Sequence, residues 1–163
     1  LEPADIKRTY GNKVRIRVCG IAIEGDKILM LKHQPLGPLG YLWSPPGGGV
    51  EFGIPMEAQL EKEFLEETNL KVQVGKMMFV NEYIDQPIHA IEVFFRVRIV
   101  EGILTKGHDP ELSPQHQMIK EVAFRSFEEL KKLDPLAVHN SLRHCSNMEQ
   151  FLNLNGFFIF HNY

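Results

Sequence analysis

One stretch constrains the fold of this chain more than any other: PGGGVEFGIP at 46–55, running directly into MEAQLEKEFLEETNL at 56–70. The glycines of the first part let the backbone turn sharply and approach other groups closely. The second part predicts a helix over Met56–Thr68. Pro55 suits its start, where a missing N–H costs nothing, and Asn69 suits a left-handed position just past its end. Met56, Leu60 and Phe64 fall on one side, so the helix packs against a neighbour.

Around this helix the chain reads mainly as strand. KVRIRVCGIAI (13–23) alternates and then turns wholly apolar. The turn EGD (24–26) and the run KILMLKH (27–33) predict a hairpin with it. QPLGPLG (34–40) is loop and YLWS (41–44) a short strand. LKVQVGKMMFVNEYI (70–84) and HAIEVFFRVRIV (89–100) predict two long strands, IKEVAFRS (119–126) a last strand, and SFEELKKL (126–133) a helix with a capping pattern. Strands, one central helix, strands, then helices predict a mixed α/β sandwich rather than a doubly wound sheet.

The central helix carries its charge against its own interest. Glu63, Glu66 and Glu67 stand at i, i+3 and i+4, where each like-charge pair costs roughly 0.2–0.5 kcal/mol. Glu66 and Glu67 also lie near the C-terminal end, where the helix dipole favours cations. Glu57, Glu61, Glu63, Glu66 and Glu67 face only Lys62 as a cation within the same run. Such an arc is either a solvated acidic face or a site for a hard divalent cation, which prefers oxygen ligands. The glycine loop just ahead of it favours the cation. The loop is no nucleotide P-loop, because no G-K-[ST] follows, and H-E-x-x-H and G-x-S-x-G are absent.

The stretch 46–70 resembles the Nudix hydrolase signature, G-x5-E-x7-R-E-U-x-E-E-x-G-U with U a bulky aliphatic residue. Gly48, Glu63, Glu66, Glu67 and Leu70 match it, and Phe64 nearly does. Ile54 replaces the first glutamate of the pattern, Lys62 the arginine and Asn69 the last glycine. The preceding YLWSPPGG and the strand order are also similar to that family, over about residues 13–133. The resemblance implies a Nudix-type α/β/α sandwich with a mixed sheet and a central glycine loop–helix motif. It implies hydrolysis of the pyrophosphate bond in a nucleoside diphosphate linked to another moiety, with Mg²⁺ or Mn²⁺ as cofactor.

Carried over by motif position, Glu63, Glu66, Glu67 and the Gly47 carbonyl hold metal. Glu63 and Lys62 form the catalytic pair: Glu63 binds metal or takes the proton of the attacking water, and Lys62 orients it without an arginine's fork. Ile54 removes a carboxylate for which the sequence offers no evident substitute. Candidate substrate contacts are Gly48 in the loop, Arg17 (or Arg15) to a phosphate, and Trp43 as a stacking ring, with Tyr83, Phe52 and Phe95 as further aromatic choices. Relatives often place one more acidic residue in the loop before the last strand. Here GHDPELSPQHQMIKEV (107–122) offers Asp109, Glu111, His116 and Glu121, none fixed by spacing, while Gln117 and Met118 stand near the strand. These departures keep a second reading open, a catalytically weak sensor that binds a nucleotide. A purely structural acidic helix is the third, disfavoured by the glycine loop.

Composition narrows the partners. A chain of 163 residues fits a single domain over 1–163, with a core at about 13–133 and a helical, apolar extension at 134–163. A net charge of −3 gives no pull toward nucleic acid or anionic membrane, and no apolar run nears 18 residues. The residues after Leu133 are too few and too weakly basic for a DNA-reading module. Cys19 and Cys145 lie far apart and read as buried thiols, so the expected setting is the cytoplasm. His33 and His89 fall at strand ends, as packing or rim residues. GFFIF (156–160) needs a covering surface, either its own core or the partner in a homodimer.

Overall fold

The computed structural model describes residues 11–86, 88–108 and 117–160. The strands are β1 (Val14–Ile21), β2 (Ile23–Glu24), β3 (Lys27–His33), β4 (Leu42–Ser44), β5 (Gly47–Gly49), β6 (Leu70–Asp85), β7 (Ile88–Gly102), β8 (Ile119–Ser126) and β9 (Gly156–Phe158). The helices are α1 (Met56–Thr68), α2 (Phe127–Lys131), α3 (Asn140–Arg143) and α4 (Met148–Leu152), with a 3-10 turn at Pro135–Ala137.

The strands form two sheets. The larger runs β5-β1-β7-β6-β9, with β1–β7 and β6–β9 parallel and the other pairs antiparallel, so it is mixed as expected. In the smaller, β3 pairs with β2, β4 and β8. The expected hairpin exists only at its tip, where Ile23 pairs with Ile28 and Glu24 with Lys27. Residues 14–21 leave instead for the larger sheet, between β5 and β7. Val18 to Ile21 are buried one after another, and an apolar run of that kind suits a central strand covered on both faces.

Each face of the larger sheet has its own core. On one, Leu60 and Phe64 of α1 pack with Val18, Val93, Phe95 and Val97. Gly20 makes this contact close, since a Cβ there would stand 2.3 Å from the Phe64 ring. On the other, Cys19, Phe79 and Phe94 meet Trp43, Leu142 and Phe151. Phe79 and Phe94 stack at 4.4 Å between ring centroids.

Helix α1 has the predicted bounds. Asn69 adopts φ 59° and ψ 23°, the left-handed conformation, and donates its N–H to the Leu65 carbonyl at 3.0 Å. The chain leaving β7 returns along the helix end, with Thr105, Gly107 and His108 N–H donating to the carbonyls of Thr68, Glu67 and Glu66. These donors satisfy carbonyls that a helix end otherwise leaves to water. Helix α2 opens with the predicted capping box of Ser126 and Glu129.

The C-terminal segment finds its cover within the chain. Strand β9 adds to β6, Phe158 and Phe160 pack on the second core, and Phe157 and Ile159 face outward. Among the described residues no helix is long and apolar enough to cross a membrane.

Candidate active site

The site is built where the glycine strand β5 meets α1. β5 pairs with β1 in the register Arg17–Gly49, Val18–Gly48 and Cys19–Gly47. At Gly47, φ is 151° and a Cβ would lie 2.0 Å from the Val18 carbonyl oxygen, so only glycine fits. Its N–H donates to Glu67 Oε2 at 2.9 Å, which anchors the buried carboxylate to the loop. At Gly48 a Cβ would lie 2.2 Å from Glu63 Oε1, so the missing side chain lets that carboxylate rest against the backbone. Glu63 and Glu66 are half-buried. The glycine loop therefore cradles the carboxylates of Glu63 and Glu67, with Glu66 on the same helix.

Lys62 is drawn to Glu51. Its Nζ lies 2.6 Å from Glu51 Oε1 near the surface, and each partner holds the other in its charged form: Lys62 is shifted up and Glu51 down by this hydrogen bond. Glu51, three positions before Ile54, clasps loop to helix, while the Ile54 side chain stays exposed. Glu63 is held by Gln59, whose Nε2 donates to Glu63 Oε1 at 2.8 Å and which is only 1% exposed. The spacing of four on a helix was the available sign of that contact.

Arg17 and Arg15 stand at alternate positions of β1, and both lie along the glycine strand. Arg17 Nη2 donates to the Gly47 carbonyl at 3.3 Å. This carbonyl, expected as a metal ligand, is thus engaged by a guanidinium. Arg17 Nε is buried without an acceptor and lies 3.8 Å from Glu92 Oε1. Burial opposes the Arg17 charge, but Cys19, Glu92, Glu67 and Glu63 together hold its pKa above the ordinary value.

Glu92 escaped sequence reasoning. It pairs with Arg17 in the register of β7 on β1 and is 5% exposed. Its Oε2 accepts from Asn81 Nδ2 at 2.9 Å and from His139 Nε2 at 3.0 Å. The Ser141 N–H points at His139 Nδ1, which assigns the ring proton to Nε2, facing Glu92. Burial raises the Glu92 pKa, yet His139, Arg17 and Asn81 bring it below the usual carboxylate value. Its place in HAIEVFF was the only sign: one carboxylate in register with the core-facing Phe94.

The remaining candidates scatter. Trp43 is 3% exposed, within the second core, and the Arg125 guanidinium lies 4.8 Å from its ring centroid. Its expected role as a stacking ring for substrate is corrected accordingly: both burial and Arg125 cover it. Phe95 is buried on the α1 side and Phe52 is fully exposed. Tyr83 stacks on His139 at 6.1 Å beside a shallow groove that Leu42, Asp85 and Arg143 also line. Glu121 pairs with Arg125 at 2.6 Å on β8. Asp109, Glu111 and His116 lie outside the described residues. His33 meets Ser44, and burial, assisted by the Arg17 charge, lowers its pKa to about 4. His89 pairs with Glu82 at 2.9 Å on the rim.

Among the described residues no three His, Cys, Asp or Glu side chains converge on one point suited to a metal ion. The donors along α1 are nonetheless all carboxylate oxygens, the chemistry that suits Mg²⁺ or Mn²⁺, and Gly48 leaves the Glu63 oxygens lying against the loop.

Comparison with known proteins places this arrangement. The family model of the NUDIX domain matches residues 13–144. An ADP-ribose pyrophosphatase of Methanocaldococcus jannaschii is 30% identical over 120 residues, which cover 72% of this chain and 65% of that protein. The chain thus spans just under two-thirds of that relative's length. A NUDIX hydrolase from Nitrosomonas europaea superimposes with a TM-score of 0.62 at 19% identity, over 74% of this chain and 77% of the other. An ADP-ribose pyrophosphatase from Streptococcus suis does so with a TM-score of 0.59 at 18% identity, over 88% and 98%. The structural likenesses show the shared fold, and with the family match over most of the length they lead to one conclusion: this chain belongs to the NUDIX family.

Proposed function

We propose that this chain hydrolyses the pyrophosphate bond of a nucleoside diphosphate linked to a second moiety, with ADP-ribose the first substrate to test. The observation that carries this reading is the seating of Glu63 and Glu67 on the glycine loop, one against Gly48 and the other on the Gly47 N–H. Such seating fixes carboxylates at the mouth of a sharp turn, where a solvated acidic face would leave them mobile. The name of the Methanocaldococcus jannaschii relative supports the choice of ADP-ribose.

Glu66, Glu67 and Glu63 would hold Mg²⁺ or Mn²⁺, which when bound neutralises diphosphate charge and lowers the pKa of a water. Gln59 fixes the direction of Glu63, which accepts the proton of the attacking water. Arg17 and Arg15 supply positive charge beside the loop for the substrate's phosphates. Tyr83, at its groove on the Arg17 side of the sheet, replaces Trp43 as the aromatic contact. A nucleotide-binding sensor is the second reading, favoured by the Gly47 carbonyl being engaged by Arg17.

The deciding experiment incubates the chain with ADP-ribose and other nucleoside diphosphate derivatives plus Mg²⁺ or Mn²⁺, and follows phosphate release after phosphatase coupling. Glu63→Gln is expected to lower turnover by roughly 10²–10⁴-fold. Glu66→Gln is expected to lower metal affinity as well as turnover, with partial rescue by added Mn²⁺. No hydrolysis of any derivative by the parent chain removes the reading in favour of the sensor.

A further inference from the structure

We propose that Glu92 is a positioning residue for the glycine loop, acting through Arg17, and that the C-terminal segment holds Glu92 in place; the functional part of this inference rests on the reading above. The contacts form one continuous path. Phe160 donates its N–H to Asn81 Oδ1 at 3.5 Å, and its carbonyl accepts from Asn140 Nδ2 at 3.0 Å. Asn81 Nδ2 in turn reaches both Asn140 Oδ1 at 3.1 Å and Glu92 Oε2 at 2.9 Å. His139, the residue before α3, donates to the same Glu92 oxygen. Glu92 then faces Arg17, Arg17 holds the Gly47 carbonyl, and the Gly47 N–H holds Glu67.

Two features argue that this path serves the loop and not merely the core. First, a buried ionic cluster seldom adds net stability over apolar packing, whereas breaking one by removing a partner is costly. Glu92, His139, Asn140 and Asn81 are each at most 5% exposed, so the cluster is maintained where apolar side chains would fit. Second, Arg17 is not optimally paired. Its Nε lacks an acceptor while Nη2 donates to the Gly47 carbonyl, and Glu92 Oε1 stands at 3.8 Å. A guanidinium arranged only for stability would turn its fork to Glu92. The contact to the loop is the one retained.

The test compares Glu92→Gln, Arg17→Gln and the double variant with the parent chain. Amide hydrogen exchange of residues 47–50 is read against that of β3, in the other sheet. Arg17→Gln is expected to speed loop exchange roughly tenfold, the size of its one lost charge-assisted hydrogen bond to Gly47, Glu92→Gln to speed it by up to that factor, and both to leave β3 unchanged. The double variant is expected to exchange no faster than Arg17→Gln alone, because both act through one contact. With ADP-ribose and Mg²⁺, kcat should follow the same non-additive pattern. Loop exchange unchanged in Glu92→Gln, additive effects in the double variant, or an equal rise in β3 would each overturn the proposal. If Glu92→Gln does not fold, Arg17→Lys decides: it keeps the charge but not the fork, and unchanged loop exchange overturns the proposal. A parent inactive on ADP-ribose would count against the proposed substrate, while the exchange result still decides the role of Glu92.

Discussion

A buried amide donates to the Glu63 carboxylate. Gln59 lies one helical turn before Glu63, is buried, and presents Nε2 to Glu63 Oε1 while its own oxygen takes the Glu51 N–H at 3.4 Å. Gln59→Leu keeps the volume and the burial but removes the donor, so Glu63 loses this hydrogen bond. We expect turnover to fall about tenfold or more, as a misdirected base requires, with the melting temperature nearly unchanged. Steady-state kinetics with a parallel melting curve checks this, and a parental rate would show that Gln59 has no part in orienting Glu63. Lys62→Ala, by contrast, removes only a surface pair with Glu51, and exposed pairs of that kind contribute little. Melting temperature and turnover should both stay near parental, and a rate loss as large as that of Gln59→Leu would return Lys62 to the catalytic role first assigned to it. The three glutamates of α1 were legible because charge at i, i+3 and i+4 is visible in any helix. Glu92 and Gln59 were not, because one polar residue inside an apolar run looks alike whether it anchors a network or merely sits at a half-buried position.

At the scale of elements, β5 explains why glycines stand in the loop, and these glycines differ in kind. A Cβ at Gly47 meets backbone, the Val18 carbonyl at 2.0 Å, whereas at Gly48 it meets the end of a flexible side chain, Glu63. Backbone in a central strand cannot yield, so Gly47→Ala should destabilise strongly, by about 3 kcal/mol or more. Gly48→Ala should cost much less stability, yet lose most activity by pushing Glu63 aside. Urea unfolding and turnover measured on both variants separate the two effects, and equal losses of stability would contradict the distinction. The elements themselves were largely readable: α1 has the bounds that Pro55 and Asn69 marked, and β8 and the capped α2 stand where their patterns put them. The failure was the hairpin of residues 13–33. Alternation identifies a strand but not its partner, and β1 was claimed by β5 and β7 through contacts distant in sequence. Trp43 misled for a related reason, since sequence does not say which face of a three-residue strand meets the core.

On the scale of the whole molecule, the buried groups couple stability to pH, and each coupling has its own window. The folded chain holds His33 at a pKa of about 4, below its ordinary 6.5, through burial and the nearby Arg17 charge. Between those values the unfolded chain takes up a proton that the folded chain refuses, so stability falls as pH drops from 6.5 toward 4. Glu92 behaves differently. Its folded pKa lies below the ordinary 4.5, so its contribution is present above 4.5 and disappears only as pH falls through the lower folded value. The melting temperature should therefore decline in two stages on acidification. His33→Asn, which keeps a polar group near Ser44 without a proton to gain, should flatten the first stage and leave the second. A parent melting temperature that is level between pH 6.5 and 4.5 would show that His33 is not the half-buried neutral group described. Removal of residues 156–163 probes the same cluster from the other side. It strips the Phe160 contacts from Asn81 and Asn140 and uncovers Phe79, which packs edge-on with Phe158 at 6.0 Å. Exposing that face should lower the melting temperature by about 5 °C or more, by the size scaling of a domain this large. Because Phe158 and Phe160 already pack within the chain, sedimentation should be the same before and after truncation. A parent dimer that becomes a monomer on truncation would place the segment at a two-fold interface, with the outward Phe157 and Ile159 as its contact residues.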